Sequence, residues 1–194
     1  MGEIHAVLDA CVLYSFYLRE IFMRLDGEEE LYRAHWSNEI NDEWSRNLIK
    51  NKPHLEKKDL DATIFWMNKA IDDALVDPAP FFEIAATANL PDKQDIHVLA
   101  AAIASQSQYI VTANLRDFPQ EEIKKFGVEA IHPDEFLMEM MPDFSKEIMS
   151  VVVRQSEQYR SPKMGVGDIL GALSRAGIPK TSRSISQLLK VDIV

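Results

Sequence analysis

The chain has 194 residues, 46% of them hydrophobic, which gives room for one full core with a small appendage in an ordinary globular protein. Its single cysteine, Cys11, rules out an internal disulfide, suits a reducing compartment and reads as a small core residue; no run approaches the ~18 apolar residues of a membrane span. The net charge of −10 speaks against a nucleic-acid partner taken alone, but it is uneven: 145–194 carry 8 Lys/Arg against 4 Asp/Glu, and 1–144 carry 13 against 27.

In chain order, "MGEIHA" has no basic leader, and Ala6 stands where a myristoylation motif wants Ser or Thr. "IHAVLD", 4–9, predicts a short buried strand ending on Asp9. "YSFYLREIFMRL", 14–25, has apolar residues at helical spacing and is stopped by Gly27. "LYRAHW" predicts a second strand. "SNEINDEWSRNLIK" predicts a helix with Ser37 as N-cap and acids in its first turns. "DLDATIFWMNKAIDDAL", 59–75, predicts another amphipathic helix. Pro78 and Pro80 break the pattern, and "FFEIAA" reads as a strand. "DIHVLAAAIASQS" is a helix without Gly or Pro, and "YIVTAN", 109–114, a β-branched strand. Pro119 opens a helix that Gly127 closes. "VEAI" is a last strand and "PDEFLMEMM" a last helix of the body. Beyond Met141-Pro142, "SKEIMSVVVRQSEQY" predicts a helix, "SPKMGVG" a turn, and "DILGALSRAGIP" and "SRSISQLL" two short helices.

Alternating strands and helices predict an α/β fold with a parallel sheet, whose ligands bind beyond the carboxyl ends of the strands. Asp9 lies at such an end, and so does the stretch after "YIVT". Four groups of acids deserve weighing: Asp9; Glu39 and Glu43, one turn apart on a helix; Asp92 and Asp95; and Asp117. Each has a bland reading. Glu39 and Glu43 suit a solvated first turn, Asp92 a cap, Asp95 a helix dipole, and Asp117 a cap for the next helix. Asp9 is the hardest to dismiss, because an acid closing a central strand needs a partner. Gathered at one sheet edge, such carboxylates would repel unless a cation neutralised them. An all-oxygen set suits Mg²⁺ or Mn²⁺, and such a centre suits phosphoryl chemistry.

Other chemistries fit less well. There is no Gly-rich phosphate loop and no G-x-S-x-G elbow. The five histidines show no H-x-H or H-E-x-x-H spacing; His97, just after Asp95, has one reading near the site and a commoner one as a helix-surface or packed residue. Cys11 occupies the second position after Asp9, where a D-x-D phosphatase motif needs an acid.

"VLDACVLYS", "WSNEINDEWSRNL", "PDKQDIHVLAAAI" and "YIVTANLRDFP", in that order, resemble the four signature segments of the PIN-domain family, and of its VapC-type toxins from toxin–antitoxin modules, over roughly residues 4–140. The resemblance implies a three-layer α/β/α sandwich around a parallel sheet of about five strands; the C-terminal helical extension is read from the tail's own sequence. It implies catalytic and metal-holding roles for Asp9, Glu43, Asp95 and Asp117, help from Asp92, and support from Thr112 and Asn114. It implies Mg²⁺- or Mn²⁺-dependent cleavage of single-stranded RNA, an antitoxin partner and a homodimer; a cytoplasmic protein with no membrane partner is the simplest reading of the composition.

The minimal toxins end near the last body helix, whereas this chain runs on. The expected division is a nuclease body over 1–142 and a basic helical extension over 143–194. Arg175, Lys180 and Arg183 are candidate RNA phosphate contacts, against the alternative of a solvated helical cap. Two other readings stay open: a scaffold or regulatory binding protein on the same fold, and a housekeeping RNA-processing nuclease without an antitoxin.

Overall fold

A computed structural model describes residues 3–160 and 162–194. Met1 and Gly2, on which the myristoylation question turns, and Ser161, in the predicted turn "SPKMGVG", lie outside the described residues. The chain forms two compact units. One comprises the residues up to Tyr14 together with Tyr32–His132; the other comprises Ser15–Leu31 and Pro133–Val194.

The first unit begins with β1 (His5–Leu8), followed at once by a short helix, α1 (Ala10–Tyr14). Phe16–Gly27 is α2, in the second unit. The chain re-enters the first unit as β2 (Arg33–His35) and α3 (Asn38–Asn51). Ser37 caps α3 as predicted, its hydroxyl accepting from the Ile40 N–H at 3.3 Å. Next come α4 (Lys57–Ala70), α5 (Phe82–Ala85) and α6 (Ile96–Ala104). They are followed by β3 (Tyr109–Val111), α7 (Gln120–Ile123) and β4 (Glu129–Ile131). Gly127 ends the turn before β4 at φ +76°, a conformation that L side chains adopt at a cost.

The sheet is parallel throughout, in the order β2-β1-β3-β4. Consecutive strands run outward from β1 to β2 on one side, whereas β3 returns to the other side. The crevice where an α/β sheet binds ligands therefore opens between β1 and β3. Their register pairs Leu8 with Val111, so the next residues, Asp9 and Thr112, emerge side by side. Ala6, Val7 and Leu8 are fully buried, as expected of a central parallel strand. Val98–Ala102 of α6 are likewise fully buried.

Four strands are present among the described residues, against about five expected. "FFEIAA" is not a strand: Ala79–Phe81 forms a 3-10 turn that leads directly into α5. Ala85 and Ala88 are buried while Glu83 and Ile84 are exposed, which is a helical spacing and not an alternation. The helix predicted to reach residue 75 stops at Ala70. Beyond it the chain turns extended and bridges Leu75 to Trp36 in parallel at the edge of β2, with Trp36 N–H donating to the Ala74 carbonyl at 2.9 Å.

In the second unit, α2 packs with α8 (Pro133–Gln158), α9 (Val166–Arg175) and α10 (Pro179–Leu189). The two helices predicted on either side of Met141-Pro142 meet within α8 at a kink, where Phe144 leaves helical geometry at φ −125°, ψ 25°, two residues beyond Pro142. Asp134, buried on the first turn of α8, accepts from the Lys180 and Thr181 N–H groups at 2.9 and 2.8 Å and from the Thr181 hydroxyl at 2.8 Å. It caps α10 from 46 residues away. Arg154 of α8 holds Glu28 and Glu29 beyond α2.

Candidate active site

Asp9 follows the last residue of β1 and is both a helix starter and a site carboxylate. Its backbone carbonyl accepts from Val12 and Leu13 to begin α1, and its Oδ1 accepts from the Ala10 N–H at 2.6 Å. Its Oδ2 accepts from the Thr112 hydroxyl at 2.6 Å and the Cys11 thiol at 3.2 Å. Asp9 is only 6% exposed. Burial raises its pKa above the usual carboxylate range; the three donors oppose the rise, and the Glu43 charge adds to it.

Cys11 is half-buried at this site and is not the core residue expected from sequence. Its thiol pKa is pushed up to about 12 by burial and by Asp9, so it stays protonated and acts as a donor. The Ala113 N–H donates to its sulfur at 3.3 Å. Thr112, fully buried, accepts from the Asn114 N–H at 3.0 Å while donating to Asp9. Asn114 is exposed at the crevice.

Glu43 lies on the second turn of α3, beside the buried Trp44. Its Oε2 is 3.4 Å from His97 Nε2, an ion-pair contact rather than a hydrogen bond. The other nitrogen of His97, Nδ1, meets the Gln94 carbonyl at 2.6 Å, which orients the ring. Burial alone would lower the His97 pKa, but Glu43 and the Gln94 carbonyl outweigh it and the net shift is upward. Sequence reasoning took Cys11 for a core residue and gave His97 a place near the site only as the less common of two readings. His97 lies two residues beyond Asp95 on a helical segment, the only signal that could have marked it.

Asp92 accepts from the Gln94 N–H at 2.8 Å and caps the 3-10 turn Lys93–Asp95, as the bland reading had it. Asp95 stands at the N-cap position of α6 but makes no side-chain cap bond. Asp117 ends the 3-10 turn Leu115–Asp117 and does not cap the next helix; its partner is the largely exposed Arg116, at 3.7 Å. Glu39 lies apart, in a cleft with Leu75 and Pro78.

Asp95 shows how closely the acids face one another. Its pKa rises to about 7, first through burial and then through the charges of Asp9, Asp92, Asp117 and Glu43. Five carboxylates from four separate segments therefore share one field. The other four oppose the ionisation of Asp95, and the cost is relieved by a proton or a cation. The donors are all oxygen, which fits a hard cation. No three His, Cys, Asp or Glu side chains among the described residues stand at enclosing distance. Mg²⁺, which keeps several waters and binds through one or two carboxylates, does not require that they should.

The three candidate phosphate contacts lie in the second unit. Arg175 donates to the Val194 carbonyl at 3.2 Å, Lys180 pairs with Glu135, and Arg183 is exposed.

Comparison with known proteins places residues 5–116, more than half of the chain, in the PIN domain family, and residues 133–187 in the VapC50 C-terminal domain family. A curated relative from Mycobacterium tuberculosis, named "Putative ribonuclease VapC50", is 34% identical over 80 residues. That match covers 41% of this chain and 47% of the relative, so the chain spans about half the length of the protein it matches. No solved structure matches.

Proposed function

The chain belongs to the PIN-domain family, in its VapC-type toxin branch, and on that footing we propose that it is a divalent-metal-dependent endoribonuclease that hydrolyses phosphodiester bonds of single-stranded RNA. The observation that carries the reading is the Asp95 carboxyl, held up to about 7 by burial and four neighbouring acids. An uncompensated concentration of like charge at the switch point of a sheet is costly to fold, and perturbed acids in a crevice mark functional sites.

In this reading Asp9, Glu43, Asp95 and Asp117 hold Mg²⁺ or Mn²⁺, and Asp92 assists. When bound there, such an ion would supply activation of a water and neutralisation of charge on the phosphate oxygens. Thr112 and the Cys11 thiol fix the Asp9 carboxylate by donating to it, and His97 steadies Glu43. Asn114 offers an amide at the crevice for the strand. Because the acids alone repel a polyanion, substrate binding depends on the cation and on outlying bases; Arg175, Lys180 and Arg183 are the proposed phosphate contacts. Catalysis belongs to the body, 1–142, and recognition to the extension, 143–194. The protein acts in the cytoplasm as the toxin of a pair, as a homodimer held inactive by an antitoxin protein.

Expression in growing bacteria tests the toxin reading. Wild-type protein should arrest growth and generate new RNA 5′ ends, and Asp95→Asn should do neither. Equal growth and identical RNA ends for both would contradict it.

A further inference from the structure

A cleft of about 290 Å³ opens in the first unit beside the acids, between α1 and α3. It is lined by Tyr14, Glu43, Trp44, Asn47, Asn51 and Asn114, together with Ala10 and Cys11 from the first turn of α1, directly after Asp9. Glu43 and Asn114 thus face both the cleft and the acid centre. We propose that this cleft is a nucleobase subsite, taking one base of the RNA strand next to the cut phosphate and selecting it by hydrogen bonds from Asn47 and Asn51.

Its composition identifies the occupant. No Lys or Arg lines it, and Glu43 forms one wall, so a phosphate is disfavoured there. Three carboxamides and a phenol each donate and accept, as the Watson–Crick edge of a base does. The volume is below that of drug-sized ligand sites, which suits a single ring system and not a longer segment.

The geometry explains why one base is taken. Glu43, Asn47 and Asn51 occupy successive turns of α3 on one face, so the amides lie about 6 and 12 Å from the acid along the helix axis. The row therefore leads away from the centre where the phosphate is cut. Trp44 is fully buried, with its Nε1–H donating to Asn41 Oδ1 at 2.9 Å, and supplies an apolar wall. Tyr14 accepts from Asn51 Nδ2 at 3.2 Å, which holds that amide in place, and its ring offers a stacking face.

The inference rests on the ribonuclease reading, but its test does not depend on cleavage. Fluorescent RNA pentamers of A, C, G or U are bound to full-length Asp95→Asn protein and followed by anisotropy in low salt. One homopolymer should bind about tenfold tighter than the weakest, and adding Asn47→Ala or Asn51→Ala should bring the four Kd values to within about threefold. Both asparagines are exposed, so the variants should melt within a degree or two of their parent, which circular dichroism checks. Equal Kd values for the four homopolymers, or a preference that survives both substitutions, would overturn the proposal and leave the cleft to a protein side chain. If base selectivity is lost as expected while wild-type protein cuts no RNA, the subsite stands and the nuclease reading fails.

Discussion

At the scale of residues, the site shows an imbalance that folding did not remove. An Asp in an unfolded chain titrates near 3.9, whereas Asp95 keeps its proton up to about 7. Below pH 4 both states are protonated and no penalty exists. Between about pH 4 and 7 the unfolded chain has lost the proton that the fold keeps, so the fold becomes progressively less favourable, by ~1–3 kcal/mol after allowance for solvent screening, and above 7, where both states are ionised, the penalty is constant. Metal-free Asp95→Asn should therefore be more stable than wild type at pH 8 by that order and nearly equal at pH 4, as urea titrations at the two pH values would show. A wild-type protein that is the more stable at pH 8 would remove the electrostatic account. The buried hydroxyl of Thr112 gives a second prediction. Thr112→Val keeps the shape but removes the donor to Asp9, and Mn²⁺ affinity measured by calorimetry should fall about 10–100-fold. The acids were legible in the sequence because each sits at a recognisable break: a strand end, the second turn of a capped helix, a helix start. Cys11 was not, because a lone thiol has no spacing that distinguishes a site from a core, and His97 was marked only by its place just after Asp95.

At the scale of elements, local chemistry succeeds where the partners are near in sequence. The Ser37 cap, the stop at Gly127 and the four strands could be read in windows of a few residues. Ser37→Ala should cost about 1 kcal/mol in thermal unfolding, since one orphan N–H of α3 loses its acceptor. Where distant contacts decide, the sequence is silent. "FFEIAA" has strand-like residues, but the prolines before it set up a helical turn. The end of α4 is set by the bridge between Leu75 and Trp36, a long-range pairing. The cap of α10 by Asp134 is equally invisible locally. Asp134→Ala leaves three donors of α10 without their acceptor and should cost about 2–4 kcal/mol. Hydrogen exchange should show the loss concentrated in α9 and α10; an even loss across the chain would contradict the capping role.

At the scale of the whole molecule, the charge pattern and the family agree on a chemistry that neither composition nor fold alone would name. A net charge of −10 discourages RNA, yet carboxylates from β1, α3, the start of α6 and the turn after β3 share one field at the sheet's switch point. In the proposed function, a divalent cation would reconcile the two. The change of charge near residue 145 lies within α8, whereas the second unit takes up the chain again at Pro133 and also includes α2, a membership that no local signal marks. What its helices pack against was not visible, because amphipathic patterns do not name their partners. The most direct test is cleavage of a labelled single-stranded RNA by purified full-length protein with Mg²⁺ or Mn²⁺, with EDTA in place of metal, and with Asp95→Asn. Cutting that needs the metal and is lost in the variant is the predicted result. Cutting that persists in EDTA or in Asp95→Asn would contradict the claim that these acids form a metal-dependent nuclease centre.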